Sequence, residues 1–165
     1  MSRIKWKWFP ESRKPNSLAG RIVNVFEGVE RRITSDTKSL KSNQVLIQIK
    51  RRLKKLGFAV ESGKKAHEKI TFTIPPGPIS FNVDAYAKRH RFVLEVEAGR
   101  AKDNNAFLKD LFQACLMPEV SYLCIAVRKK YRKRKDYDYV VNYLDKLYAS
   151  DRLKLPLKGT LLIGY

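Results

Sequence analysis

The chain is poor in cysteine and histidine, with two of each in 165 residues, and the scarcity removes several kinds of chemistry. Cys115 and Cys124 stand in apolar surroundings, which suits reduced core thiols better than a disulfide framework. With only His67 and His90 to join them, and no cysteine pair at ligand spacing, a structural zinc site and a Cys/His nucleophile are both poorly supplied. No apolar run approaches the roughly 20 residues needed to span a bilayer. The opening MSRIKWKWF lacks the apolar stretch of a signal peptide, so a cytoplasmic protein is expected. Acid is the other shortage: 16 Asp and Glu stand against 35 Lys and Arg, a formal charge of +19. So large an excess predicts an anionic polymer as partner, with nucleic acid ahead of a membrane surface.

Against that shortage, the stretch Phe81 to Arg100 gathers three acids. Ile79, Phe81, Val83, Ala85 and Ala87 alternate with Ser80, Asn82, Asp84 and Tyr86, the period of a strand with one buried face. After Lys88, Arg89 and His90 the alternation resumes: Phe92, Leu94 and Val96 face the core and Glu95 and Glu97 lie together on the other side. A hairpin that keeps both apolar faces together needs an even-numbered loop, Arg89-His90 or Lys88 to Arg91. Either loop sets Asp84 opposite Glu95 and Asn82 opposite Glu97. Opposed like charges are destabilising. Either a divalent cation compensates them, for which carboxylate oxygens suit Mg²⁺ or Mn²⁺, or neighbouring Lys and Arg do.

Around this hairpin the chain reads as one domain by length. Residues 1–17 interleave Trp6, Trp8 and Phe9 with cations, as an arm that either stacks on bases or packs on the domain; residues 18–165 form the domain. A first helix begins after Asn16 or Ser17, with Ile22, Val25, Phe26, Val29 and Ile33 as its buried stripe. Glu30 flanks that stripe, placed either to reach a site at the sheet edge or to pair with a nearby arginine. A second helix covers about Ser42 to Leu56, stopped by Gly57; its outer faces carry Lys50, Arg51 and Lys54, which suit a phosphate backbone or plain solvent. Short strands Phe58 to Val60 and Lys69 to Ile74 precede the hairpin. A helix from about Asn104 to Leu116 and the apolar strand Tyr122 to Val127 follow it as a crossover. Next come Arg128, Lys129, Lys130, Arg132, Lys133, Arg134 and Lys135 around Tyr131, a block that either grips nucleic acid or forms a solvated loop. A helix near Tyr137 to Ala149 and a strand Thr160 to Ile163 end the chain.

The order α, β, β, β, α, β, with Asp84 on one strand and Glu95-Val96-Glu97 on the next, resembles the restriction-endonuclease-like superfamily, written PD-(D/E)xK, over about residues 18 to 127. The stretches EVEAGRAKDNNAFLKDLFQACLMPEVSYLCIAV and LPLKGTLLIGY also look like uncharacterised bacterial members of it. The resemblance implies an α/β fold: an αβββαβ core whose central mixed sheet is flanked by helices. It implies an endonuclease that hydrolyses phosphodiester bonds with Mg²⁺ or Mn²⁺, on DNA ahead of RNA, and it allows a homodimer. Asp84 and Glu95 match the two metal-binding acids, with the Val96 carbonyl as a further ligand. Glu97 takes the place of the family's lysine, a departure known as the ExE form, and would orient water or join a second metal. Glu30 would match the additional acid of the first helix. Arg100, Lys102 and Lys109 are the cations placed to replace the lost lysine beside a phosphate. The competing expectation is a non-catalytic nucleic-acid-binding protein that keeps the fold.

Overall fold

Both faces of a central sheet are covered by helices, which is why its middle strands are apolar on both sides. The computed structural model describes residues 3–99, 101 and 103–165. In chain order the elements are β1 (Lys5–Phe9), α1 (Ser17–Glu27), α2 (Glu30–Ile33), α3 (Ser42–Lys55), β2 (Ala59–Val60), β3 (Ile70–Thr73), β4 (Ser80–Val83), β5 (Ala85–Ala87), β6 (Phe92–Glu97), α4 (Ala106–Leu116), β7 (Tyr122–Val127), α5 (Asp136–Ala149) and β8 (Gly159–Gly164). The six-stranded sheet runs β1-β8-β7-β6-β5-β2, and β3 with β4 forms a separate ribbon. β6, β7 and β8 are parallel and their outer neighbours antiparallel, so the sheet is mixed.

Side chains alternate across the strands and divide the core in two. Phe92, Leu94, Val96, Cys124, Leu161 and Ile163 pack with α1 and α3 on one face. Val93, Leu123, Ile125 and Leu162 pack with α4 and α5 on the other. Asn16 caps α1, its side-chain oxygen accepting from the Leu18 amide at 2.8 Å. The expected stripe from Ile22 to Ile33 is buried throughout, but it belongs to two helices, because the chain breaks at Gly28 and restarts as the single turn of α2. Gly57, at φ +87, ends α3 in the left-handed conformation that its lack of Cβ permits. Among the described residues no helix is long and apolar enough to cross a membrane.

The N-terminal segment enters the sheet. β1 is an edge strand antiparallel to β8, in register from Lys5 opposite Gly164 to Phe9 opposite Thr160. Trp8 is 5% exposed in one core and Phe9 1% exposed in the other, whereas Trp6 stays 49% exposed. The Trp8 ring lies across Gly159 so closely that a Cβ there would sit 2.1 Å from it. Trp8→Ala is therefore expected to cost about 3–5 kcal/mol and to lower the melting temperature by on the order of 10 °C. A thermal melt of the variant unchanged from wild type would mean that β1 does not support the sheet.

Candidate active site

The β5–β6 hairpin has the register expected from its alternation. Ala85 pairs with Leu94 and Ala87 with Phe92, which sets Asp84 opposite Glu95. Its connection is the four-residue alternative, Lys88 to Arg91, closed by Arg91 at φ 54. The expected opposition of Asn82 and Glu97 does not form, because the chain leaves the main sheet at Asp84. β4 pairs with β3 instead, and Asn82 lies opposite Thr71, whose hydroxyl donates to the Asn82 side-chain oxygen at 2.8 Å. The break also sends Val83 and Ala85 into opposite cores, although they are two residues apart.

That break organises the site. Had the ladder continued, the Val96 amide would have met residue 83; with the strand gone, the Asp84 carboxylate accepts it at 2.8 Å. In return, the Asp84 amide donates to Glu95 Oε2 at 3.3 Å. The N–H and C=O of one strand residue point to the same neighbour, so the Val96 carbonyl faces the gap where β5 ended. The next acid along, Glu97, has its own carbonyl taken by the Tyr165 hydroxyl at 3.1 Å.

A fourth carboxylate comes from α4. Asp110 is 5% exposed, and its Oδ2 has no hydrogen-bond partner among the described residues. Phe107, Leu111 and Ala114 are buried beside it at helical spacing, so a charge here breaks the apolar stripe. Burial, then the charge of the Glu97 carboxylate and the hydrogen bond the two carboxyls share, pushes the Asp110 carboxyl up to about 8. Asp84 is pushed up to about 6, chiefly by burial, with the Val96 amide opposing and Glu61 and Glu97 adding. Glu95 is also raised well above the ordinary carboxylate range, by burial first and by Asp84 and Asp110 next. Among the described residues no ion pair reaches Asp84, Glu95, Glu97 or Asp110. Among the described residues, then, no cation pairs with the cluster.

The closest such influence comes through Glu61, whose amide donates to the Asp84 carbonyl at 2.9 Å. Lys69 holds Glu61 at 2.7 Å and works against the rise of Asp84. Lys109 is exposed and tempers Asp110 from the preceding helical position. Arg100 and Lys102 lie outside the described residues. Glu30 is not brought to the cluster: its carboxylate accepts from the Arg3 amide at 3.0 Å. Lys50, Arg51 and Lys54 lie on α3, on the face of the sheet away from α4.

The basic block after β7 stands at the same edge as the acids, since parallel β6 and β7 end side by side at Glu97 and Val127. It is a folded turn, with Tyr131 and Arg134 exchanging backbone hydrogen bonds at 3.0 Å. The guanidiniums of Arg128, Arg132 and Arg134 surround the Tyr131 ring at 5.1, 5.4 and 5.2 Å from its centre. Lys129 is committed to Asp36 at 2.6 Å, and Arg134 to Asp103 and, at 3.8 Å, Asp136. Lys130, Arg132, Lys133 and Lys135 remain exposed.

The donor set suits a hard divalent cation: carboxylates only, a carbonyl facing the same gap, and one buried oxygen without a partner. Among the described residues no three of these groups already converge in coordinating geometry. One oxygen each of Asp84 and Glu95 is engaged by a backbone amide, which leaves the second oxygen of each carboxylate to a ligand. The chain matches no family model, and no curated protein is similar to it.

Proposed function

We propose that this protein is a metal-dependent endonuclease acting on nucleic acid, DNA ahead of RNA, with a restriction-endonuclease-like core. The observation that carries the reading is a group of four carboxylates, Asp110 buried and Asp84, Glu95 and Glu97 half-buried, with no ion-pair partner among the described residues, in a chain of formal charge +19. That no described cation pairs with these acids, in a chain with 35 Lys and Arg, favours a role for them with a cation of another kind. Glu95 and Glu97 stand at the carboxyl end of β6, which is parallel to β7, and such ends are where open α/β sheets bind ligands.

Asp84, Glu95, Glu97 and Asp110 would hold Mg²⁺ or Mn²⁺, with the Val96 carbonyl facing the same gap. When bound, the ion lowers the pKa of water and stabilises charge at phosphorus. Glu97 orients the attacking water, and the Val96 amide holds Asp84 in place. Lys69, ion-paired to Glu61 at 2.7 Å and opposing the rise of Asp84, would supply the positive charge that the ExE motif lacks by exchanging Glu61 for the phosphate. Its loss in Lys69→Ala is expected to slow cleavage by on the order of 10²-fold while leaving binding in EDTA within about twofold; single-turnover rates that fall less than about threefold would remove it from the site.

The reading is tested by incubating labelled double-stranded DNA, single-stranded DNA and RNA with Mg²⁺, Mn²⁺ or EDTA. Cutting that needs the metal is expected; strand binding without cutting under every condition would contradict it. One observation favours the second reading, a binding protein that keeps the fold. The Asp84 and Glu95 carboxylates already do structural work, capping amides freed by the strand break.

A further inference from the structure

We propose that a pocket beside the end of β7 is a subsite for a second phosphate of the same nucleic acid strand, an assignment that rests on the nucleic-acid reading above. The pocket has a volume of about 530 Å³ and is walled by Ser35, Thr37, Ser39, Arg128, Lys130 and Arg132, with Tyr131 and Asp36 beside them.

Its chemistry is that of an anion site. Arg128 is 6% exposed, and among the described residues no ion pair reaches it; its neighbours are the Leu40 carbonyl, to which it donates, the Tyr165 hydroxyl and the Tyr131 ring at 5.1 Å. A buried guanidinium with only neutral partners is costly unless an anion joins it. Asp36, the acid in the wall, is already held by Lys129 at 2.6 Å. Thr37, Ser39, Lys130 and Arg132 are exposed and free to turn toward a ligand. The Ser35 hydroxyl is spent within the fold, donating to the Tyr165 carbonyl and accepting from the Lys129 amide at 3.0 Å. It fixes the loop rather than the ligand.

The pocket is tied to the carboxylates by two contacts. Tyr131 lies against Gly99, two residues beyond Glu97, so closely that a Cβ there would stand 2.6 Å from the ring. Tyr165 donates from its hydroxyl to the Glu97 carbonyl and accepts from Ser35 at its own carbonyl. Adjacent strands are about 4.8 Å apart, so β7 and β8 stand about 5 and 10 Å from β6, within reach of the next phosphates along a strand whose scissile phosphate sits at the β6 carboxylates. Of the seven cations in the block, Arg128, Lys130 and Arg132 face this role, and Lys129 and Arg134 hold the turn in shape.

The shared chemistry is a phosphate group, and it can be an internal diester or a 5′-terminal monoester. The test is fluorescence anisotropy in EDTA with a labelled single-stranded 12-mer bearing either a 5′-phosphate or a 5′-hydroxyl. Wild type is compared with Lys130→Gln/Arg132→Gln and with Lys146→Gln/Arg152→Gln, which removes the same charge from exposed positions elsewhere. The pocket variant is expected to melt like wild type, to bind at least about tenfold more weakly, and to show a salt slope shallower by about 1.4. The control is expected to stay within about twofold. A loss confined to the 5′-phosphorylated strand identifies a terminal phosphate, and an equal loss for both strands an internal one. Equal binding by the pocket variant and the control would overturn the subsite while leaving hydrolysis untouched. Pocket-dependent binding without cutting in any metal would remove hydrolysis and leave the subsite standing.

Discussion

Asp84→Asn/Glu95→Gln is expected to lose metal-dependent cleavage by on the order of 10²–10³-fold and, in EDTA at pH 8, to melt at a higher temperature than wild type. The two effects have one cause. Carboxylates pushed up by burial and by one another oppose folding when ionised, and neutral amides of the same shape can still accept the Val96 and Asp84 amides. A site that destabilises the fold until its ligand arrives is a familiar trade of stability for function. A variant that melts lower at pH 8 and keeps its activity would mean that these acids serve the strand break and nothing else.

The second large effect is on pH. Carboxyls in the unfolded chain ionise near pH 4, whereas Asp84 is pushed up to about 6 and Asp110 to about 8. A folded-state pKa raised above its unfolded value gives stability that is full below the unfolded pKa and lost as pH rises through the folded one. Metal-free wild type should therefore lose stability steadily from about pH 4 to about pH 8. Asp110→Asn should match wild type at pH 4 and exceed it at pH 8 by on the order of 5–10 °C, a few kcal/mol spread over a chain of this size. Saturating Mg²⁺ should remove most of that difference, with a stabilisation of wild type that grows with pH as protons cease to compete. Melting curves across this range check both statements; a wild-type curve independent of pH and of Mg²⁺ would contradict them.

The sequence carried the hairpin well, because alternation specifies register wherever one face is buried. Asp84 opposite Glu95 follows from Ala85, Ala87, Phe92 and Leu94 alone. It did not carry the break at Asp84. The period of two runs unbroken from Ile79 to Ala87, and both faces of the sheet are covered, so the pattern is the same whether Val83 and Ala85 share a core or, as they do, enter different ones. Asp110 left a readable signal, an acid inside the Phe107, Leu111 and Ala114 stripe. The pairing of Lys69 with Glu61 left none, since the two meet across an irregular loop. Glu30 has the helical spacing of a site residue, but the break at Gly28 puts it on a separate turn beside Arg3. In the basic block, composition gave the charge and no means of separating the structural cations Lys129 and Arg134 from those that stay open.

The most direct test of the account is a calorimetric titration of Mn²⁺ into metal-stripped protein at pH 8, with wild type beside Asp84→Asn/Glu95→Gln. Saturable binding of one or two ions by wild type, weakened at least about tenfold in the variant, is the predicted result. Equal binding by both proteins, or no saturable binding by either, would contradict a metal centre at this hairpin.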